Sequence, residues 1–460
     1  MSTGSYAIPL GKRVSLLCYG VILLLIMPLI NVPLTAAGQE EPPANPFKIP
    51  EDNNPPAIRD SGLRLETVVS GLTRPVAMSF IGRDDILVLE KDNGTVRRIV
   101  DGELQEEPVL DVAVANDNQT NERGLLGMAV AKPYVFLYYT ESGGGQDGDD
   151  AKGVVPAGNR LYRYDLVERD DGRTVKLENP KLILDLPARP GPRYNAGPIL
   201  VSQGNATGSA TSVYLMIGDL DHHRSQAENY KNGPPPDGTG GIMRVDIEGK
   251  PMTNPALVDS NNSDSAGMLP YYFAYGIRNG FGMDFDPVTG NIWDTENGPN
   301  NYDEINLVQA GFNSGWAKIQ GPITAETNSG VNINDDLEDF GGKGKYRDPE
   351  FSWNNTIGVT AIKFLNSDKL GREYRNDIFV GDINNGRIYH FDLNQGRTGL
   401  ALDGVLSDKV ADNVGELDNV IFGTGFRSIS DIEVGPDGYL YVLTYGPGKI
   451  FRIAPEDADT

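Results

Sequence analysis

Three histidines, one cysteine and one oxygen-rich turn hold much of the chemistry that this 460-residue chain can offer. With only His222, His223 and His390 present, a zinc or iron site built from several imidazoles is close to excluded. His390 alternates with apolar neighbours in RIYHFDL and reads as a packed or surface strand residue. His222 and His223 sit in the loop DLDHHRSQAEN, directly after the apolar strand SVYLMIGD. Loops at one end of a sheet fold can line a ligand pocket, and two solvated loop histidines are an equal alternative. The cysteine, Cys18, lies in an apolar leader, which leaves the rest of the chain without a thiol for disulfides, thiolate metal sites or nucleophilic catalysis. No nucleophile elbow, Walker loop, dinucleotide fingerprint or EF-hand loop is present.

The densest constellation runs from Tyr275 to Trp316, YGIRNGFGMDFDPVTGNIWDTENGPNNYDEINLVQAGFNSGW. Arg278 and Asn279 precede a strand, and Glu296, Asn297, Gly298, Pro299, Asn300 and Asn301 make a turn ahead of Asp303 and Glu304. Glycine and proline there expose backbone carbonyls. With carboxylates and amides, these are the hard donors that calcium collects in groups of six to eight. A turn with side-chain capping bonds uses the same residue types, and on composition alone it is the commoner arrangement.

The segments that must position these groups are strands. In ISDIEVGPDGYLYVLTYGPGKIFRIAP an alternating run meets a Pro-Asp-Gly turn, an apolar strand, a glycine turn and a third strand, which is one antiparallel meander. The same order recurs from Val76, Gly124, Asn195, Gly280 and Val359. Six units of about 65 residues, each unable to bury both faces alone, are buried most economically by stacking around an axis. The expected fold is therefore all-β, a six-bladed β-propeller over residues 58–456. A parallel solenoid or two sandwiches fit less well, because hairpin turns join most strands.

Ahead of the propeller, Lys12 and Arg13 precede an apolar run from Val14 to Leu34 followed by Thr35, Ala36 and Ala37, so residues 1–37 read as a signal peptide or a membrane anchor. Residues 38–57, GQEEPPANPFKIPEDNNPPA, form a Pro-rich linker. The formal charge of −24 repels phosphate backbones and anionic lipid, which leaves no nucleic-acid role and membrane contact only through the leader. An extracytoplasmic protein is expected, whether secreted, periplasmic or anchored.

The motifs GLTRPVAM, ERGLLGMAV, GGIMRVD, YGIRNGFGMDFDP, TENGPNNYDEINLV with GFNSGW, and ISDIEVGPDGYLYVLT carry a resemblance that spans roughly Leu72 to Ala454. The chain resembles the glucose/sorbosone dehydrogenase family of soluble quinoprotein aldose dehydrogenases. That resemblance implies a six-bladed propeller with pyrroloquinoline quinone (PQQ) and Ca2+ at the channel mouth. It also implies hydride transfer from a sugar or alcohol to PQQ, and an external electron acceptor. By the same resemblance Arg278 and Asn279 contact the cofactor, the carbonyls of Gly298 and Pro299 bind the metal, and Trp353 matches an aromatic that lines the sugar site; Glu122 stands where a substrate-binding glutamine is expected, and Gln226 is a further substrate-site candidate.

Other positions depart from the family pattern. Tyr194 stands where the family's catalytic histidine opens its motif, and a phenol, with an ordinary pKa of about 10, accepts protons poorly near neutrality unless a cation such as Arg193 lowers it. His222 or His223 is the substitute base. Asn384, Ser428 and Ser430 replace three cofactor-binding cations, each worth about 1.5 to 3 kcal/mol against a PQQ carboxylate, and Arg427, Arg193 and Arg224 are the candidates to compensate. Two alternatives stay open: a redox-inactive member that binds a carbohydrate, metal or protein partner at the channel, and a calcium-dependent lactone hydrolase using Glu296, Asn300 and Asp303.

Overall fold

The structure is a computed structural model that describes residues 54–116, 122–169, 174–202, 211–221, 224–252, 254–259 and 267–458. The leader, most of the linker, and His222 and His223 lie outside the described residues. Among the described residues no helix is long and apolar enough to cross a membrane. All of them belong to one compact unit, Asn45–Thr460.

The last repeat shows how each unit forms. Strand Ile429–Val434 pairs antiparallel with Leu440–Thr444, which pairs with Lys449–Pro455. Between the first two, Asp437 accepts the Tyr439 N–H and Gly438 takes φ +83°, a left-handed value that favours glycine. Six such meanders organise six sheets among the described residues, and each grows from one of the six repeats read in the sequence. The innermost strands are Pro75–Gly82, Leu125–Ala131, Ile199–Ser202, Gly280–Phe285, Val359–Phe364 and Ile429–Val434, and each contacts the next, with the last meeting the first. The fold is an all-β propeller whose ring is closed. Strand Leu63–Ser70 pairs with the C-terminal strand Lys449–Pro455, so a strand from near the start of the domain completes its last sheet.

The second strand of each unit lies between neighbouring sheets and is buried on both faces. Ser212–Ile217, Ile292–Glu296, Ile378–Asp382 and Leu440–Thr444 are buried at every position, which is why VLMI-rich runs replace alternation there. Outer strands come from segments without a period of their own. Phe312–Asn313 and Lys345–Tyr346 add in parallel to the third sheet, Val410–Ala411 adds to the fourth, and Ala57–Ile58 joins the fifth through Ile421–Thr424. Ala57, expected in the linker, is already strand.

Trp353 corrects an expectation. Its side chain is fully buried in a cluster with Phe351, Tyr389 and Phe391, with ring centroids at 4.8, 5.3 and 6.3 Å. It packs between sheets and does not line the channel, because its strand, Phe351–Asn355, is the fourth in its sheet rather than the innermost.

Candidate functional site

The axial channel encloses about 290 Å³ and is walled by all six innermost strands, with Met78, Met128, Ile199, Met283, Ile362 and Ile432 along its length. Lys91, Asn297, Ile383 and Tyr445 rim one end. Each directly follows a buried second strand, which ends at Glu90, Glu296, Asp382 or Thr444. The repeat register therefore selects the mouth. Towards the other end, Lys363 lies 2.7 Å from Glu433 and 3.5 Å from Asp284, while Asp431 accepts the Met78 N–H at 2.8 Å. Burial opposes the charge on Lys363, yet these carboxylates win and hold its pKa above the ordinary lysine value.

Four expected residues, Glu122, Tyr194, Arg278 and Asn279, meet at the mouth. Asn279 donates to Glu122 Oε2 at 3.0 Å, accepts the Ala196 N–H at 3.2 Å, and its carbonyl accepts the Asn297 N–H at 2.7 Å. One side chain and its backbone thus join three loops. Glu122 Oε2 also accepts the Tyr194 N–H at 2.8 Å. Burial pushes the Glu122 carboxyl up; those two hydrogen bonds and the charges of Arg278 and Arg193 oppose the rise without cancelling it. Arg278 donates from one terminal nitrogen to the carbonyls of Asn297, at 2.8 Å, and Gly298, at 3.1 Å. Its guanidinium carbon lies 3.9 Å from the centroid of the Tyr194 ring and 5.5 Å from that of Trp316. Arg278 Nε is buried with no hydrogen-bond partner among the described residues.

Tyr194 and Ala196 hold φ of 60° and 54°, left-handed values that non-glycine residues adopt only when their surroundings compel them. The surroundings are visible: Asn195 is wholly buried, accepts the Tyr138 hydroxyl on its carbonyl and the Asn159 amide on its side chain, and donates to Pro192 O. The neighbouring Gly197 carbonyl passes so near Gly127 that a Cβ there would sit 1.9 Å from it. This explains the second glycine of ERGLLGMAV.

Gly298 and Pro299 border a small recess with Glu296, Glu304, Ser314 and Trp316. Asn306 donates to Glu296 at 3.2 Å and to Glu304 at 3.3 Å. Burial pushes both carboxyls up, that of Glu304 to about 7. Hard oxygen donors do converge here, while the Gly298 carbonyl is engaged by Arg278.

Two further expected residues stand apart from this hydrogen-bonded group. Gln226 lies on a one-turn 3₁₀ helix, Gln226–Glu228, with its amide directed to Lys231 O at 3.3 Å. Arg427 is exposed, at φ 69°. Ser430 does line the channel, where its hydroxyl donates to Pro75 O at 2.8 Å. The cations that do reach the channel, Lys91 and Lys363, were missed. Lys91 was legible in principle, since LVLEKDNG, NIWDTENG and IFVGDINNG align on the residue after the second strand.

Behind Trp316, Glu228 caps its own short helix: it accepts the Ser225 N–H and the Thr239 hydroxyl, and its carbonyl accepts the Ala317 N–H. Burial pushes this carboxyl up to about 8. The folded chain thus keeps a proton that the unfolded chain releases. The group's contribution to stability is complete below the ordinary 4.5 and is lost as pH rises towards 8, at up to about 1.4 kcal/mol per unit. Urea midpoints measured at pH 5 and pH 8 are expected to differ less in Glu228→Gln than in the wild type; equal slopes would remove this assignment.

Comparison with known proteins agrees with this architecture. The glucose/sorbosone dehydrogenase family model matches residues 72–452. Aldose sugar dehydrogenase YliI of Escherichia coli is 26% identical over 406 residues, covering 86% of this chain and 94% of that protein. Quinoprotein glucose dehydrogenase B of Acinetobacter calcoaceticus is 24% identical over 276 residues, covering 56% of this chain and 52% of its own length. In structure, the PQQ-bound aldose sugar dehydrogenase of Streptomyces coelicolor superposes with a TM-score of 0.58 at 18% identity, covering 87% of this chain and all of that one. The family match spans nearly the whole propeller and takes in the mouth residues Glu122, Arg278, Asn279 and Gly298, and on that ground this chain belongs to the glucose/sorbosone dehydrogenase family.

Proposed function

We propose that this chain is an extracytoplasmic sugar dehydrogenase that oxidises an aldose or related alcohol at the channel mouth, with PQQ as cofactor and Ca2+ beside it. The carrying observation is the convergence of Arg278, Asn279 and Glu122 at the open end of an apolar channel, in a chain of this family. Six sheets whose innermost strands touch in a closed ring support a six-bladed count.

The residues present suit a flat, anionic ligand. Arg278 brings a buried Nε with no partner among the described residues, Lys91, ion-paired with Asp92 and donating to Arg123 O, and Asn297 stand on the rim, and apolar side chains wall the space below. Arg278, Asn279 and Lys91 would hold the cofactor. PQQ, when bound, supplies the hydride acceptor for the carbinol carbon of the sugar. Gly298 and Pro299 would present carbonyls to Ca2+, with Glu296 and Glu304 supplying charge in the same recess.

Glu122 is the base in this reading. It lines the channel, its burial-raised pKa brings it nearer the working pH than a free carboxylate, and Tyr194 and Asn279 hold it in place. It takes the proton of the sugar hydroxyl as the carbon loses its hydride. Tyr194 instead lays its ring against Arg278. The leader-like run at Val14–Leu34 supports export, and an external acceptor completes turnover.

The test is a titration of the purified protein with PQQ and Ca2+ followed through the quinone absorbance, then addition of aldoses. Calcium-dependent binding followed by sugar-driven bleaching of the quinone is expected. No binding at high micromolar PQQ would sink the reading and leave a propeller that binds its ligand without redox chemistry.

A further inference from the structure

A second cluster lies at the other end of the fifth sheet. Strand Ile378–Asp382 runs towards the channel mouth, where Ile383 lines the rim, so Asp377, directly before the strand, lies about 20 Å away along it. Its partner strand, Ile388–Phe391, carries His390, and Asp392 follows directly. Pairing of Ile378 with Phe391 and of Phe379 with His390 sets Asp377 opposite Asp392 at the end of the hairpin.

His390 Nε2 lies 3.2 Å from Asp377 Oδ2 and 3.8 Å from Asp392 Oδ1, and one ligand atom from each residue falls within 4.8 Å of the others. Ligands bound about 2.0–2.1 Å from a tetrahedral metal stand about 3.4 Å apart. The observed separations bracket that value. The imidazole is held by rings on several sides: Tyr374 at 5.2 Å, Phe379 at 5.0 Å and Phe422 at 6.3 Å. Among the described residues no lysine or arginine forms an ion pair with either aspartate, so two carboxylates share one imidazole. Asp377 is 9% exposed, while the Asp392 side chain is 64% exposed and leaves room for water ligands.

We propose that Asp377, His390 and Asp392 form a binding site for one divalent transition-metal ion of the Zn2+ or Co2+ class. An imidazole nitrogen beside two carboxylate oxygens suits such borderline ions and not Ca2+, which takes oxygen ligands. The site is structural, being far from the mouth. Tyr374, which packs on His390, also donates its hydroxyl to Asp60 at 2.7 Å, close after strand Ala57–Ile58 joins the same sheet. A metal here clamps the blade that receives the incoming chain.

The competing arrangement is a plain ion triad of imidazolium with two aspartates. Untagged, chelator-treated protein titrated with CoCl2 in excess Ca2+ separates the two. One equivalent of Co2+ with visible absorption bands is expected, displaced by ZnCl2, and weakened at least about tenfold in both His390→Gln and Asp392→Asn. Asp392→Asn changes an exposed side chain, so loss of binding there is not a folding defect. PQQ binding is expected to be unchanged in both variants, since the cluster is remote from the mouth. Absence of a Co2+ spectrum, or one equivalent bound equally by wild type and both variants, would overturn the site.

Discussion

Glutamine in place of Glu122 is expected to lower kcat by about 10²- to 10⁴-fold, the usual share of a general base, with PQQ affinity changed only a few-fold. The substitution is close to isosteric. Its carbonyl oxygen can still accept the Tyr194 N–H and the Asn279 amide that Glu122 Oε2 now accepts at 2.8 and 3.0 Å. What is lost is the capacity to take a proton. The direction of the pKa shift adds a second readout. Burial raises the Glu122 pKa, so the wild-type kcat/KM climbs with pH through a value above the ordinary 4.5 as the carboxylate ionises, and that limb disappears in the variant. Tyr194→Phe keeps the ring against Arg278 and removes only the hydroxyl. If the phenylalanine variant is dead and the glutamine variant active, the base is Tyr194.

Asp303→Ala is expected to destabilise the fold by about 3–5 kcal/mol, read as a lower urea midpoint at unchanged slope. Asp303 is completely buried and accepts four backbone N–H groups: Gly298 at 3.0 Å on one oxygen, and Ile357, Gly358 and Val359 at 2.7, 2.6 and 3.3 Å on the other. Burial lifts its pKa to about 6, and the four N–H donors oppose the rise by favouring the ionised carboxylate. Removing the carboxylate strands several buried donors at once. It also frees the turn whose Asn297 and Gly298 carbonyls hold Arg278, so a loss of PQQ binding is expected to accompany the loss of stability. A change below about 1 kcal/mol would show that water or backbone relaxation replaces the carboxylate.

Much of the fold was legible because β-meanders are local. Alternating strands joined by turns such as Gly435–Gly438 declare themselves within 30 residues, and the six repeats read that way seed the six sheets. The two-residue strands Phe312–Asn313, Lys345–Tyr346 and Val410–Ala411 have no period, and only docking onto a finished edge makes them strands. In the site, Arg278, Asn279 and Glu122 were marked by motif, yet 157 positions separate Glu122 from Asn279, and no local signal reports their 3.0 Å contact.

The chain's own order of residues therefore determined the repeat, the closed all-β fold, the oxygen-rich turn and the family. Tertiary structure alone decided which side chains face the axis. Trp353, an aromatic in a motif, is turned into the core, whereas Lys91 and Lys363, ordinary surface residues by type, line the channel, paired with Asp92 and Glu433. The physical reason is that a strand's alternation fixes two faces, but which face meets the axis, and what stands across it, depends on the position of that strand in its sheet and on five other sheets. Charge pairing works over the same distances: Lys363 is held by Glu433, 70 residues away in sequence, because the fifth and sixth sheets pack against each other and bring their innermost strands side by side.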